Sequence, residues 1–193
     1  QGRLIERALA AIEAGRPGKP ELYFVGFAPD ASQGVFLREM RFVKRLFDER
    51  FGAAGRSIVL ASSNDALEEF PVGSATNLAR ALVRVGEAMN AEEDLLFLLV
   101  SAHGAPDYRL SAWQPPLELA PLTPTSLARM LQDAGIKWRV VVVSACFSGG
   151  YIEPLRDENS IVITASAADR HSFGCETSRD STYFGQAYFR EAL

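Results

Sequence analysis

The sequence has little of what disulfide frameworks and metal centres are built from. Among 193 residues, cysteine occurs twice, as Cys146 and Cys175, and histidine twice, as His103 and His171. Two thiols make no disulfide framework. Two thiols and two imidazoles are a thin supply for structural zinc, which takes four ligands. His171 and Cys175 have metal-like spacing, but two ligands do not make a site, and their expected role is pocket rim or packing. No metal and no organic cofactor is expected. Long apolar runs are also missing: the longest, Leu95 to Val100, is of strand length and far short of the roughly 20 residues that span a bilayer. Gln1 to Ala14 carries Arg3, Glu6, Arg7 and Glu13, so no secretory signal is read there. Nor is there an excess of positive charge. The net charge is −4 without a Lys/Arg run, so neither nucleic acid nor an anionic membrane surface is an expected partner.

What is present is the composition of a soluble globular domain, 48% hydrophobic and 23% charged, long enough for a substantial core. The chain starts without Met and ends inside an expected helix. A soluble domain excised from a longer parent is therefore expected; the compartment is left open, with a membrane-anchored or exported parent as one option. Nothing in the sequence fixes an oligomeric state.

Strand-like and helix-like patterns alternate along the chain. Strands are expected at Glu21–Phe27, Ser57–Ala61, Asp94–Ser101, Lys137–Ser144 and Ser160–Ala165. Between them, apolar residues recur at the helical period: Phe36, Met40, Val43 and Phe47, stopped by Gly52 and Gly55, then Leu78, Leu82, Val85 and Met89. Thr123-Pro124 is a cap followed by proline at the first helical position, opening a helix through Leu127 and Leu131 to Gly135. Helices are also expected at Arg3–Ala14 and Thr182–Leu193. Tyr108–Trp113 and Leu117–Leu119 read as a small hairpin around Gln114-Pro-Pro116. Trp113 and Trp138 are assigned to packing, and Glu92-Glu93-Asp94 to a solvated turn. The fold class is α/β, a three-layer α/β/α sandwich with a mainly parallel sheet.

Two of these strands end in chemistry. Val140 to Val143, stiff at χ1 and suited to a strand covered on both faces, lead through Ser144-Ala145 directly to Cys146 and then Phe-Ser-Gly-Gly150. Ser148, Gly149 and Gly150 are expected to supply a sharp turn and a helix start. The run Leu95–Val100 leads to Ser101-Ala-His-Gly104. Open α/β sheets carry their sites at such carboxyl ends. A thiol needs deprotonation before it attacks a carbonyl, and an imidazole or a helix N-terminus favours the thiolate. Cys146 is thus the candidate nucleophile and His103 the candidate base. The anionic intermediate needs backbone donors, for which the N–H groups of Gly104 and Cys146 are placed.

Ser101-Ala-His-Gly104 followed by Ser144-Ala-Cys-Phe-Ser-Gly149 resembles the paired motifs of the legumain family, cysteine peptidases with a caspase-like fold. Thr164-Ala165, Ser172-Phe-Gly-Cys175 and Ser181-Thr-Tyr-Phe-Gly185 resemble the segments that line the legumain substrate pocket. The resemblance implies a single caspase-like peptidase domain over residues 1–193, a catalytic dyad of His103 and Cys146, and a peptide or protein as substrate. It also implies a pocket formed by Ser172, Gln186 and Ser144, with Asp30 and Ser32 at its mouth. Legumains carry an acidic residue at the position of Ser144, Asp at that of Ala102, and a pocket aspartate where Gln186 falls. Their loop after the first strand has Asn and an Arg-His pair, where this chain has Asp30-Ala-Ser-Gln33. The matched positions imply weak selection for aspartate and modest preference for asparagine. Asp30 itself reads as a solvated turn residue rather than an orienter of His103. The GPI-transamidase subunit shares the motifs, so acyl transfer to an amine is an alternative, as is a catalytically silent scaffold of the same fold. A nucleotide-binding module is disfavoured, because Gly26-Phe-Ala-Pro-Asp-Ala-Ser-Gln-Gly34 lacks the phosphate-loop spacings.

Overall fold

A strand whose successive side chains are all apolar must be covered on both faces. Strand Leu95–Ser101 meets that condition at the centre of the sheet: Leu96, Leu98 and Val100 enter one apolar cluster, Phe97 and Leu99 the other. The computed structural model of the protein describes residues 1–173 and 179–193. In chain order the strands are β1 (Leu22–Ala28), β2 (Ser57–Ala61), β3 (Leu95–Ser101), β4 (Arg139–Ser144) and β5 (Ser160–Thr164). They lie in the order β2-β1-β3-β4-β5, each adjacent pair parallel. β1 and β4 show the same double alternation, with Tyr23, Val25, Phe27, Val141 and Val143 on one side and Phe24, Ala28 and Val142 on the other. β5 is the outer strand beside β4, and Ile161 is exposed on it.

Helices α1 (Gly2–Ala10), α3 (Ala75–Ala88) and α4 (Pro124–Asp133) contribute to the first cluster, and α2 (Gly34–Arg50) to the second. The result is a three-layer α/β/α sandwich. The expected stripe Phe36, Met40, Val43 and Phe47 is fully buried. Gly52 and Gly55, at φ 69° and 80°, reverse the chain after α2. Thr123 Oγ1 accepts the Ser126 N–H at 3.1 Å, and Ser126 Oγ accepts the Thr123 N–H at 3.0 Å, a reciprocal cap with Pro124 just inside the helix. Among the described residues no helix is long and apolar enough to cross a membrane.

Four expectations about elements and their packing differ from the structure. The first helix stops at Ala10 rather than Ala14, because the backbone beyond it is used elsewhere: the Glu13 N–H bonds to Gly55 O at 2.9 Å, and Tyr23 Oη donates to Glu13 O at 3.0 Å. The hairpin at 108–119 does not form. Leu110 bridges Gly104 and Leu122, Trp113 pairs with the loop after β1, and only Gln114 and Leu117 face each other across the prolines. Pro115 and Pro116 bring no N–H donors, so the segment pairs with neighbours that do. Neither tryptophan is packed away, since Trp113 is 55% exposed and Trp138 37%. At the C-terminus the helix expected at 182–193 is a short α-turn, Tyr183–Gly185, that widens into a π-helical segment, Gln186–Ala192.

Candidate active site

β4 ends at Ser144, and the chain reverses at Phe147, which has φ 55° and ψ 18°. That left-handed conformation is uncommon for a non-glycine residue and must be held by its surroundings. Phe147 is buried, its N–H bonds to Arg170 O at 2.8 Å, and its ring meets His171 edge-on at 4.5 Å. Cys146 is therefore the last residue before the reversal. Ser148–Tyr151 then form a 3₁₀ turn leading into α5 (Ile152–Leu155). Gly149 and Gly150, expected to make the turn, provide clearance instead. A Cβ on Gly149 would stand 2.4 Å from Ala168 N, and one on Gly150 2.3 Å from the Tyr108 ring. Ser166 pins the loop, donating to Ala145 O at 3.0 Å and accepting the Ser148 N–H at 3.2 Å.

The Cys146 thiol is partly exposed, and Ser172 meets it with both backbone groups. Its Sγ accepts the Ser172 N–H at 3.3 Å and donates to Ser172 O at 3.7 Å.

The end of β3 lies alongside. Ser101 is the register partner of Ser144, and the Ala102 N–H donates to Ser144 O at 3.2 Å. His103 and Cys146 thus each stand two residues beyond a paired position on adjacent parallel strands. The two loops touch at Gly104, where a Cβ would lie 2.0 Å from Cys146 O and 3.3 Å from Cys146 N. The His103 ring meets Phe36 of α2 edge-on at 5.1 Å, and its carbonyl accepts the Ser111 N–H at 2.9 Å. Among the described residues, neither the Gly104 N–H nor the Cys146 N–H donates a hydrogen bond.

The expected pocket residues are distributed as follows. Ser172 is on the thiol. Ser144 is buried, with its Oγ 3.2 Å from Thr182 Oγ1. Ser32 is exposed and gives its N–H to Asp30 Oδ1 at 2.8 Å. Asp30 forms the expected turn but is only 2% exposed, so the solvated reading is corrected. The segment carrying Trp113 covers it, with Ala31 N–H on Trp113 O and Trp113 N–H on Pro29 O, both at 2.8 Å. Gln186 Nε2 donates to Glu191 at 3.2 Å on the exposed side of its segment. Cys175 lies outside the described residues. Among those described, no group of three or more His, Cys, Asp or Glu side chains gathers as a metal site.

One residue escaped the sequence reading. Glu39 of α2 is completely buried beneath the two strand ends. Its Oε2 accepts Ser101 Oγ at 2.7 Å, and its Oε1 accepts both the Thr182 N–H at 3.0 Å and Thr182 Oγ1 at 2.8 Å. Burial pushes its carboxyl above the ordinary value, against the hydrogen bonds of Ser101 and Thr182 and the charge of Arg190. Gly185 makes room for it, since a Cβ there would lie 1.8 Å from Oε1. The signal was available in the sequence: an acid inside the apolar stripe of α2, three residues after Phe36 and four before Val43.

The architecture is similar to the crystal structure of caspase-1 from Spodoptera frugiperda. That likeness has a TM-score of 0.61 at 14% identity and covers 91% of this chain and 73% of that one, which speaks for the fold. No curated protein sequence matches the chain. The profile described as the peptidase C13 family matches residues 72–193, more than half of the chain and the part that holds His103, Gly104 and Cys146. With its paired His-Gly and Ala-Cys-Phe-Ser-Gly motifs at neighbouring strand ends of a caspase-like sandwich, the chain belongs to the peptidase C13 family as a legumain-like member.

Proposed function

We propose that residues 1–193 act as a cysteine endopeptidase domain with Cys146 as nucleophile and His103 as general base and acid. The observation that supports this reading is the register of Ser101 with Ser144, because His103 and Cys146 each follow a paired position by two residues. His103 takes the thiol proton and Sγ attacks the scissile carbonyl, forming a tetrahedral oxyanion. The N–H groups of Gly104 and Cys146, which donate to none of the described residues, receive that oxygen. Collapse of the intermediate breaks the C–N bond, His103 gives its proton to the departing amine, and a thioester remains on Cys146. Water, deprotonated by His103, then attacks the thioester and releases the acid product. The Ser172 N–H, which donates to Sγ, favours the thiolate throughout. The substrate side chain before the cut bond meets neutral groups, Ser172 and Gln186, while Ser144 is buried and committed to Thr182.

The test is labelling by a peptidyl thiol electrophile alongside turnover of a peptide library. Cys146→Ala loses both, and His103→Ala loses about as much turnover, because groups acting as a unit are non-additive. Cys175→Ala retains both, and EDTA leaves activity unchanged. Full hydrolysis by Cys146→Ala removes the nucleophile assignment. A product amide formed with an added amine in preference to the acid makes the enzyme a transferase.

A further inference from the structure

The peptidase reading needs two side chains on two strand ends held at a fixed separation, and β-strand ends are where pairing stops. Backbone hydrogen bonding between β3 and β4 reaches the Ala102 N–H and goes no further among the described residues. Below that point one carboxylate continues the tie. Glu39 takes the hydroxyl of Ser101, two residues before His103, and both donors of Thr182. Thr182 in turn lies against the hydroxyl of Ser144, two residues before Cys146. With the Glu39 carboxyl ionised, the direction of each proton follows from valence. The Thr182 O–H is given to Glu39 Oε1, and Thr182 Oγ1 accepts the Gly185 N–H at 2.9 Å. Its remaining lone pair can take only a donor, so Ser144 donates to Thr182. The chain Ser144 to Thr182 to Glu39, met from the other side by Ser101, leaves no hydroxyl free to rotate.

We propose that Glu39 is a positioning residue of the dyad, tying the strand ends that carry His103 and Cys146 to one buried point through Ser101 and Thr182. The proposal rests on the peptidase reading and extends it to a residue that touches neither substrate nor thiol. An ionisable group is costly to bury, and this one is buried where the separation of two strand ends is decided rather than in the middle of the core. The clearance at Gly185 belongs to the same device, because any side chain there would displace the carboxylate.

The variants are Glu39→Leu, which keeps the bulk and removes every tie, and Glu39→Gln, whose amide oxygen still accepts from Thr182 and whose NH₂ can donate to Ser101. Turnover is expressed per labelled Cys146, so unfolded protein does not count. Glu39→Leu is expected to lower kcat by about ten- to hundredfold with KM within about twofold, the pattern of misplaced reacting groups. Glu39→Gln is expected to stay within about threefold of wild type, and this rescue separates positioning from a need for charge. Should Glu39→Leu fail to fold, Thr182→Val decides: it retains the N–H tie, loses the hydroxyl link to Ser144, and should lower kcat by about fivefold or more. Wild-type kcat per labelled site in Glu39→Leu, or in Thr182→Val where that variant decides, overturns the inference. A tenfold loss in Glu39→Gln equal to that in Glu39→Leu overturns it too. A wild type that neither labels nor turns over refutes the peptidase reading itself, and the inference falls with it.

Discussion

A methyl group on Gly104 would lie 2.0 Å from the Cys146 carbonyl oxygen, and both partners are main chain. No rotamer relieves such a contact, so β3 and β4 would have to separate where the candidate oxyanion donors sit. Gly104→Ala is therefore expected to destabilise the fold by about 1–3 kcal/mol, the usual cost of overpacking. It should also abolish turnover even in the fraction that remains folded, and activity per labelled Cys146 with a denaturant titration alongside separates the two effects. Retained turnover would mean that the Gly104 backbone takes no part. Phe147 illustrates the complementary case. It adopts the left-handed conformation next to two glycines because burial and the Arg170 carbonyl hold it there, while Gly149 and Gly150 are needed for the close approach of Ala168 and Tyr108. Glycine near a nucleophile signals either freedom of φ or lack of space, and the residue type alone does not say which.

At the scale of elements, α4 is set by its start. Thr123→Ala removes the hydroxyl that accepts the Ser126 N–H and should cost about 1 kcal/mol, read as a lower denaturation midpoint at unchanged slope, with activity retained at low temperature. A change in slope would indicate that more than a cap is lost. Such local signals explain which elements were legible in the sequence. Val140–Val143 and Leu95–Val100 are short runs apolar at consecutive positions, and their strand length suits a strand covered on both faces, while Thr123-Pro124 marks a helix start without tertiary help. The strand ends carrying His103 and Cys146 followed from the same two runs. The hairpin failed because its partners were chosen by nearness in sequence, whereas Leu110 finds Leu122 and Trp113 finds the loop after β1. The same pairing left Trp113 exposed and buried Asp30, two outcomes that depend on a contact between distant segments. Glu39 was passed over because periodicity rules count apolar positions, and an acid in the stripe looks like an interruption until its partners are in view.

For the molecule as a whole, three carboxyls make stability depend on pH in opposite senses. Burial tends to raise Glu21, but hydrogen bonds from Arg16 and the charges of Arg56 and Arg16 hold it below its ordinary value of 4.5. Asp157 is lowered likewise: Ser160, Asn159 and Arg139 outweigh its burial. Both contribute stability that is present above their unfolded values and lost as the pH falls through the folded ones. Glu39 is raised, so its contribution is complete below the ordinary value and is lost as the pH rises through its folded one. The melting temperature should therefore fall on acidification below about 4.5. Above that, Glu39→Gln should gain on wild type as the pH rises, and parallel curves would show that Glu39 does not titrate there. The tie between Glu39 and Thr182 has a further effect, in time rather than in energy. Its two ends are 143 residues apart in sequence. At a translation rate of about 5–20 residues per second, the second end follows the first by on the order of ten seconds. Only near the end of that interval, once Thr164 has been added, can a nascent chain hold all five strands, the thiol and the imidazole, and it still lacks the brace that joins their ends. The brace at the candidate dyad would thus close only after residue 182 has been synthesised, later than every strand of the sheet.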